Sequence, residues 1–313
     1  MSEPEVLISV VVPVYLGEPF LAELHERLVA SLTPISADFE IILVDDRGPD
    51  ASWKVIQELA KKDPRVRGVQ LSRNFGQHNA IAAGLSLVRG QWAVVMDCDL
   101  QDRPEEIPRF YEKAQEGGFD CVLGRRAVRM DGWRKRAGSW IFYKVFNTLT
   151  DMNYDGSVAN FSLIRRPIVD QLNAMKEVFR FYGGALSWMG FERAYVDVQH
   201  DARKEGQSSY TMLKLFRLGA NTILAHSTKP LRLCIWFGLW VAALSVIAAL
   251  IIITRAFLYG TPVTGWPTLI VSIQFSTGLI VSALGVLGLY IERIFMQVKE
   301  RPVFIVRTRT DAP

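Results

Sequence analysis

The first two hundred residues alternate short apolar runs with stretches of helical period. The runs are Leu7–Tyr15 (LISVVVPVY), Phe39–Asp46 (FEIILVDD), Val66–Ser72 (VRGVQLS), Gly90–Asp97 (GQWAVVMD) and Phe119–Gly124 (FDCVLG). Each is apolar in its middle and six to nine residues long, which predicts strands. Between them, Pro19–Ser31, Ala51–Lys62, Gln77–Val88 and Pro104–Glu116 place apolar residues three and four apart and predict helices, the last with Pro in its first turn. Strands that are apolar on both faces and separated by helices predict a mostly parallel sheet covered on both sides, an α/β architecture.

The pattern then changes. No residue from Leu233 to Thr254 is charged, nor any from Ala256 to Ile291. A membrane-crossing helix needs roughly 20 apolar residues. The first stretch predicts one span; the second predicts a Gly/Pro turn (YGTPVTGWP) followed by another span. Before them, Met212, Leu213, Leu215, Phe216, Leu218, Ile223 and Leu224 are interrupted by Lys214 and Arg217, which suits amphipathic helices lying on a bilayer. After them, RPVFIVRTR alternates like a strand and is expected to add to a sheet edge, that of a neighbouring subunit included. The expected organisation is an α/β domain over 1–210, juxtamembrane helices over 211–230, two transmembrane helices over 231–294, and a tail over 295–313.

Charge refines this picture. The chain of 313 residues carries a net charge of +4, too little to point to nucleic acid. Basic residues flank the spans: Lys229 and Arg232 before the first, Arg293, Lys299, Arg301, Arg307 and Arg309 after the second, and only Arg255 between them. This distribution predicts that both termini and the N-terminal α/β domain are cytoplasmic, in a multi-pass membrane protein. Nothing at the N-terminus resembles a signal peptide. Cys98, Cys121 and Cys234 have neither metal-ligand nor disulfide spacing.

The conspicuous polar groups cluster at the ends of the predicted strands, where open α/β sheets bind ligands: Tyr15, Asp45 and Asp46, Arg73 and Asn74, and Asp97 to Asp102. No G-x-G-x-x-G and no P-loop occurs, so a nucleotide's phosphates would need another partner, most simply a divalent cation. In VVMDCDLQDRP, Asp97 and Asp99 stand two apart at a strand end, with Gln101 next in step. Mg²⁺ and Mn²⁺ prefer such oxygen ligands. Asp102 is better placed to cap the helix near Pro104. His25, His78, His200 and His226 show no ligand spacing, and Trp53, Trp92 and Phe110 read as core.

ISVVVPVY, EIILVDDRGPDAS, LSRNFGQHNAIAAGL, WAVVMDCDLQDRPEEIP and DCVLGRR together resemble family 2 glycosyltransferases of the GT-A fold. Within that family the chain resembles the polyprenyl-phosphate glycosyltransferases, the dolichyl-phosphate mannose synthase-like branch in its bacterial two-span form. The resemblance implies inverting transfer of a sugar from a nucleotide-sugar to the phosphate of a polyprenyl lipid such as undecaprenyl phosphate. It implies that Asp97, Asp99 and Gln101 hold Mg²⁺ or Mn²⁺, and that Pro13, Tyr15 and Asp45 bind the nucleoside with Asp46 close by. Arg73 joins this donor side. Where relatives read YNEE this chain reads YLGEP, leaving Glu18 as the acidic residue, and DDGSxD becomes DDRGPD. Arg126 and Arg136, in the basic and Trp-containing run Arg125–Arg136, match positions that contact acceptor phosphate. ARKEGQSSY matches an R-x-x-G-x-S-K-Y element at Arg203, Gly206, Ser208 and Tyr210, with Ser209 in place of the Lys. Asn160 stands where many relatives carry an Asp. The branch also implies a homo-oligomer, a tetramer. Two other readings exist: a processive glycan synthase, against which the missing Q-x-x-R-W motif counts, and an inactive nucleotide-binding scaffold, against which Asp97, Asp99, Arg126 and Arg203 count.

Overall fold

The computed structural model describes residues 6–126, 144, 147–149, 158–175, 181–198, 227–259 and 265–311. They fall into two compact units. The first is built on one eight-stranded sheet: β1 (Ile8–Val14), β2 (Phe39–Asp45), β3 (Val66–Leu71), β4 (Trp92–Val95), β5 (Cys121–Arg126), β6 (Val158–Arg165), β7 (Arg193–Val198) and β8 (Val306–Arg309), in the order β7-β5-β6-β4-β1-β2-β3-β8. The pairs β1–β2, β1–β4, β2–β3 and β5–β7 are parallel, and β6 and β8 run against their neighbours. The expected mostly parallel sheet is therefore present.

The strands are buried on both faces because their apolar runs are continuous. Val10, Val12 and Val14 turn to one core, with α1 (Leu21–Leu32), α2 (Ser52–Lys62) and α4 (Ile107–Gly117). Val11, Ile42 and Val44 turn to the other, with α3 (Gln77–Leu85), α5 (Arg166–Ala174) and α6 (Tyr182–Trp188). This doubly covered sheet places Trp92 and Phe110 in the core, as expected, and packs the partly buried Trp53 against it. A 3₁₀ turn, Pro104–Glu106, precedes α4, and Arg103 rather than Asp102 occupies its N-cap position.

β6 does not follow from the alternation of strand and helix. It lies between β4 and β5, pairing antiparallel with both through Val94↔Leu163 and Val122↔Leu163. The tail does form a strand, but on its own chain: β8 lies antiparallel on β3, with Val69↔Arg309 and Gln70↔Thr308. The reason lies at the base of β3. Gly68 N–H donates to Thr310 Oγ1 at 2.8 Å, Thr310 N–H donates to Gly68 O at 3.0 Å, and Arg67 Nε donates to Asp311 Oδ2 at 2.9 Å.

The second unit contains α7 (Lys229–Tyr259) and α8 (Trp266–Val298), of 31 and 33 residues. Both are long and apolar enough to cross a membrane, with mean hydropathy of 2.0 over Lys229–Ala248 and 1.8 over Ser272–Val298. Leu233, Trp236, Phe237, Trp240, Ile280, Leu284 and Ile291 are all exposed on them. The expected juxtamembrane helices over 211–226 and the basic loop over 127–143 lie outside the described residues.

Candidate active site

β1, β2 and β3 step one way across the sheet, while β4 lies on the other side of β1. Such a reversal of strand order, beyond the carboxyl ends of β1 and β4, is the place where open α/β sheets bind ligands. Tyr15 leaves β1 there, half exposed at 49%. Asp97 and Asp99 leave β4 there, partly buried. Gly17 binds the two loops together: a Cβ on it would sit 2.7 Å from Val14 Cγ1 and 3.2 Å from the Sγ of Cys98, between the two carboxylates. Asp45 and Asp46 close β2 beside them, 2% and 3% exposed. Pro13 is buried within β1, opposite Val44.

Strain gathers at the same edge. Leu16, Arg47 and Leu100 have φ of 56°, 58° and 59°, one in each loop leaving β1, β2 and β4. Non-glycine residues in this region cost of order 1–3 kcal/mol and cluster where function requires the geometry.

The carboxylates have different partners. Asp45 Oδ2 accepts from Gln70 Nε2 at 2.9 Å, and its Oδ1 from Gly48 N–H at 3.4 Å. Burial pushes its pKa up, opposed by the Gln70 and Gly48 hydrogen bonds. Asp46 accepts from two backbone amides, Phe75 N–H at 2.7 Å and Gly76 N–H at 2.9 Å, and burial pushes its pKa up as well. Glu18 Oε2 accepts from Ala51 N–H at 2.9 Å, so it fastens the β1 loop to the start of α2. Arg73 lays its guanidinium over the Phe75 ring at 4.4 Å. Asp97 Oδ1 accepts from Gln77 Nε2 at 2.6 Å, and Asp99 Oδ1 from Gln101 N–H at 3.2 Å. Neither Gln70 nor Gln77 stands out in the sequence as a site residue. Their only signal was an amide at a strand end and another just after SRNFG.

Gly76 has φ of 91° and ψ of 154°, a conformation all but reserved for glycine, in the turn that holds Asp46. Nothing lies within 4 Å of the place its Cβ would take, so strain alone sets the effect of adding one. Gly76→Ala is expected to lose about 1–3 kcal/mol of stability, read as a lowered Tm with weakened nucleotide binding. An unchanged Tm and unchanged binding would refute that assignment.

The donor set suits a hard divalent cation. Among the described residues no three His, Cys, Asp or Glu side chains gather as a metal site. Two carboxylates and the amide oxygen of Gln101 are nevertheless what Mg²⁺ or Mn²⁺ needs when phosphate and water supply the other ligands. The Cys98 thiol between the two carboxylates is buried, and that burial pushes its pKa up to about 12.

Sheet register brings the other candidates to this edge. Val95 pairs with Ser162, and Arg125 with Val158, so Asn160 lies between the ends of β4 and β5. Ser162 Oγ lies 2.8 Å from the buried Tyr182 hydroxyl and donates to Asn160 O at 3.0 Å. Arg126 ends β5. Arg125 is ion-paired with Asp197 at 2.7 Å. Arg136, Arg203, Ser208 and the Arg126 side chain lie outside the described residues. His78 stacks edge-on to Phe181 at 5.5 Å, and burial pushes its pKa down to about 4, which suits its structural reading.

The chain is similar to several known proteins. The bactoprenol glucosyl transferase of Shigella phage SfX is 36% identical over 305 residues, 96% of this chain and 99% of that one. A prophage bactoprenol glucosyl transferase homolog of Escherichia coli K12 is 35% identical over 301 residues, 96% and 98% of the two chains. The crystal structure of residues 1–349 of TarS from S. aureus with UDP-GlcNAc has a TM-score of 0.48 at 17% identity, covering 71% of this chain and 66% of that one. The sequence model for glycosyl transferase family 2 matches residues 9–172, from β1 to α5, and so spans β2 and β4, whose ends carry Asp45, Asp46, Asp97 and Asp99. With near full-length relatives at this identity, the chain belongs to glycosyltransferase family 2 and is a glycosyltransferase.

Proposed function

We propose that this protein transfers a sugar, with inversion, from a nucleotide-diphosphate sugar to a polyprenyl phosphate at the cytoplasmic face of the membrane. One observation carries the reading. Asp97 and Asp99 sit at the sheet's switch point, in a chain that also has two helices apolar enough to cross a bilayer. The names of the near full-length relatives support the lipid acceptor. UDP is the nucleotide and glucose the sugar to test first.

In this reading Pro13, Tyr15 and Asp45 receive the nucleoside, and Gln70 fixes the Asp45 carboxylate. Asp97, Asp99 and Gln101 would hold Mg²⁺ or Mn²⁺, which neutralises the departing nucleoside diphosphate. Glu18, Asp46 and Arg73 shape the loops around it. Arg126, Arg136, Arg203 and Ser208 receive phosphate oxygens, and Asn160 orients the acceptor. A phosphate-monoester oxygen attacks the anomeric carbon from the face opposite the leaving group. The new C–O bond forms as the old one breaks, and the electron pair leaves with the diphosphate. The second pKa of a phosphate monoester lies near 6, so the nucleophile is already largely dianionic and needs orientation more than a base. An Asn rather than an Asp at 160 fits that requirement. The distribution of basic residues supports cytoplasmic termini, and the branch supports a homo-oligomer.

The test is direct. Purified protein with Mg²⁺ or Mn²⁺, undecaprenyl phosphate and a panel of labelled UDP- and GDP-sugars is expected to yield a lipid-linked monosaccharide from one donor. Folded protein that makes no product with any donor would overturn the reading.

A further inference from the structure

Asp46 and Asp97 come from different strands, yet a single turn connects their partners. Both oxygens of Asp46 are taken up by the amides of Phe75 and Gly76. Those amides belong to the turn that opens α3, and Gly76 supplies the conformation that lets both face one carboxylate. The next residue, Gln77, is the first of α3, and its Nε2 donates to Asp97 Oδ1 at 2.6 Å. The buried carboxylate at the end of β2 thus fixes the turn, and the turn delivers an amide donor to the carboxylate at the end of β4.

We propose that Gln77 is a positioning residue for Asp97, held in place by Asp46 through the Phe75–Gly76 turn. This rests on the donor-site reading above. A hydrogen bond to one carboxylate oxygen restricts the plane of the group, and so the direction in which it meets a cation. Groups that orient a metal-binding carboxylate in this way are typically worth about 10–100-fold in metal affinity. Gln77 is itself exposed, so the fold does not need it for packing. Its amide is neutral, so it orients Asp97 without competing with the cation for charge.

The experiment is a titration of UDP binding against Mn²⁺ by calorimetry on the full-length protein in detergent. Gln77→Met keeps the length of the side chain and removes the donor. It is expected to raise the Mn²⁺ concentration for half-maximal UDP binding about tenfold, with Tm unchanged. In an Asp97→Asn background the same substitution is expected to add nothing, because its effect passes through Asp97. An unchanged Mn²⁺ titration for Gln77→Met, with Asp99→Ala losing the Mn²⁺ effect, would overturn the positioning role and leave the donor site standing. Independent effects of Gln77→Met and Asp97→Asn would likewise overturn it. If Asp99→Ala also keeps a normal Mn²⁺ response, the donor-site reading falls and this inference falls with it.

Discussion

Asp99→Ala is expected to lower kcat by about a thousandfold or more while the protein stays folded. Asp99 is partly buried in the loop after β4, and its Oδ1 accepts from the amide of Gln101 two residues on. No core packing depends on it, so Tm should move little. The chemistry asks more of it. In the proposed reading a nucleoside diphosphate leaves as an anion beside the carboxylates of Asp97 and Asp99. Alone they would repel it; holding a divalent cation, they would help to neutralise it. A thousandfold loss corresponds to about 4 kcal/mol, within the several kcal/mol that a bound metal contributes to stabilising such charge. The sign of binding is a further check. Removing one carboxylate should leave metal-free UDP binding unchanged or slightly tighter, and should abolish the strengthening that Mn²⁺ gives. An Asp99→Ala protein that retains turnover within tenfold, or whose UDP affinity still rises with Mn²⁺, would remove Asp99 from the metal site.

The legible parts of the fold were those set by local pattern. β1 to β5 and α1 to α4 follow from continuous apolar runs and intervening helical period, because strands buried on both faces leave no polar alternation to misread. The placing of the candidate site residues at the ends of β1, β2 and β4 followed from the same rule, since it depends only on where each apolar run stops. β6 was not legible as a member of the sheet. VANFSLIR carries a strand-like composition, but its place between β4 and β5 is a long-range pairing that no local pattern encodes. The tail shows the same limit: RTR reads as a strand, while its partner β3 lies more than two hundred residues earlier. Gln70 and Gln77 escaped because a glutamine has no distinctive spacing. Their roles lie in which carboxylate each amide reaches, and only the folded chain decides that.

Arg67→Met is expected to have the largest effect on stability, about 3–5 kcal/mol. Arg67 lies on β3 with its side chain 11% exposed. It bridges Glu40 on β2 at 2.7 Å and Asp311 in the tail at 2.9 Å, and donates to Leu87 O at 2.9 Å. Glu40 is 4% exposed; its other oxygen accepts from Ser9 Oγ at 2.7 Å and Arg89 N–H at 2.8 Å. Removing the guanidinium leaves a buried carboxylate without its counter-charge, which costs far more than the pair itself contributes. For a unit of about two hundred residues, each kcal/mol shifts Tm by about 2–4 °C, so the fall should exceed 6 °C. Asp311 is 33% exposed, and solvent screens its share of the network. Asp311→Asn should therefore cost under about 1 kcal/mol. The double variant Glu40→Met/Arg67→Met separates an uncompensated charge from lost contacts. If the charge dominates, the double change recovers most of the Tm that Arg67→Met loses, because neither ion then remains buried. If the losses instead add, the guanidinium acts mainly as the mechanical link from β2 to β8, and Arg67→Met should release the tail to proteolysis at temperatures where the sheet is still folded.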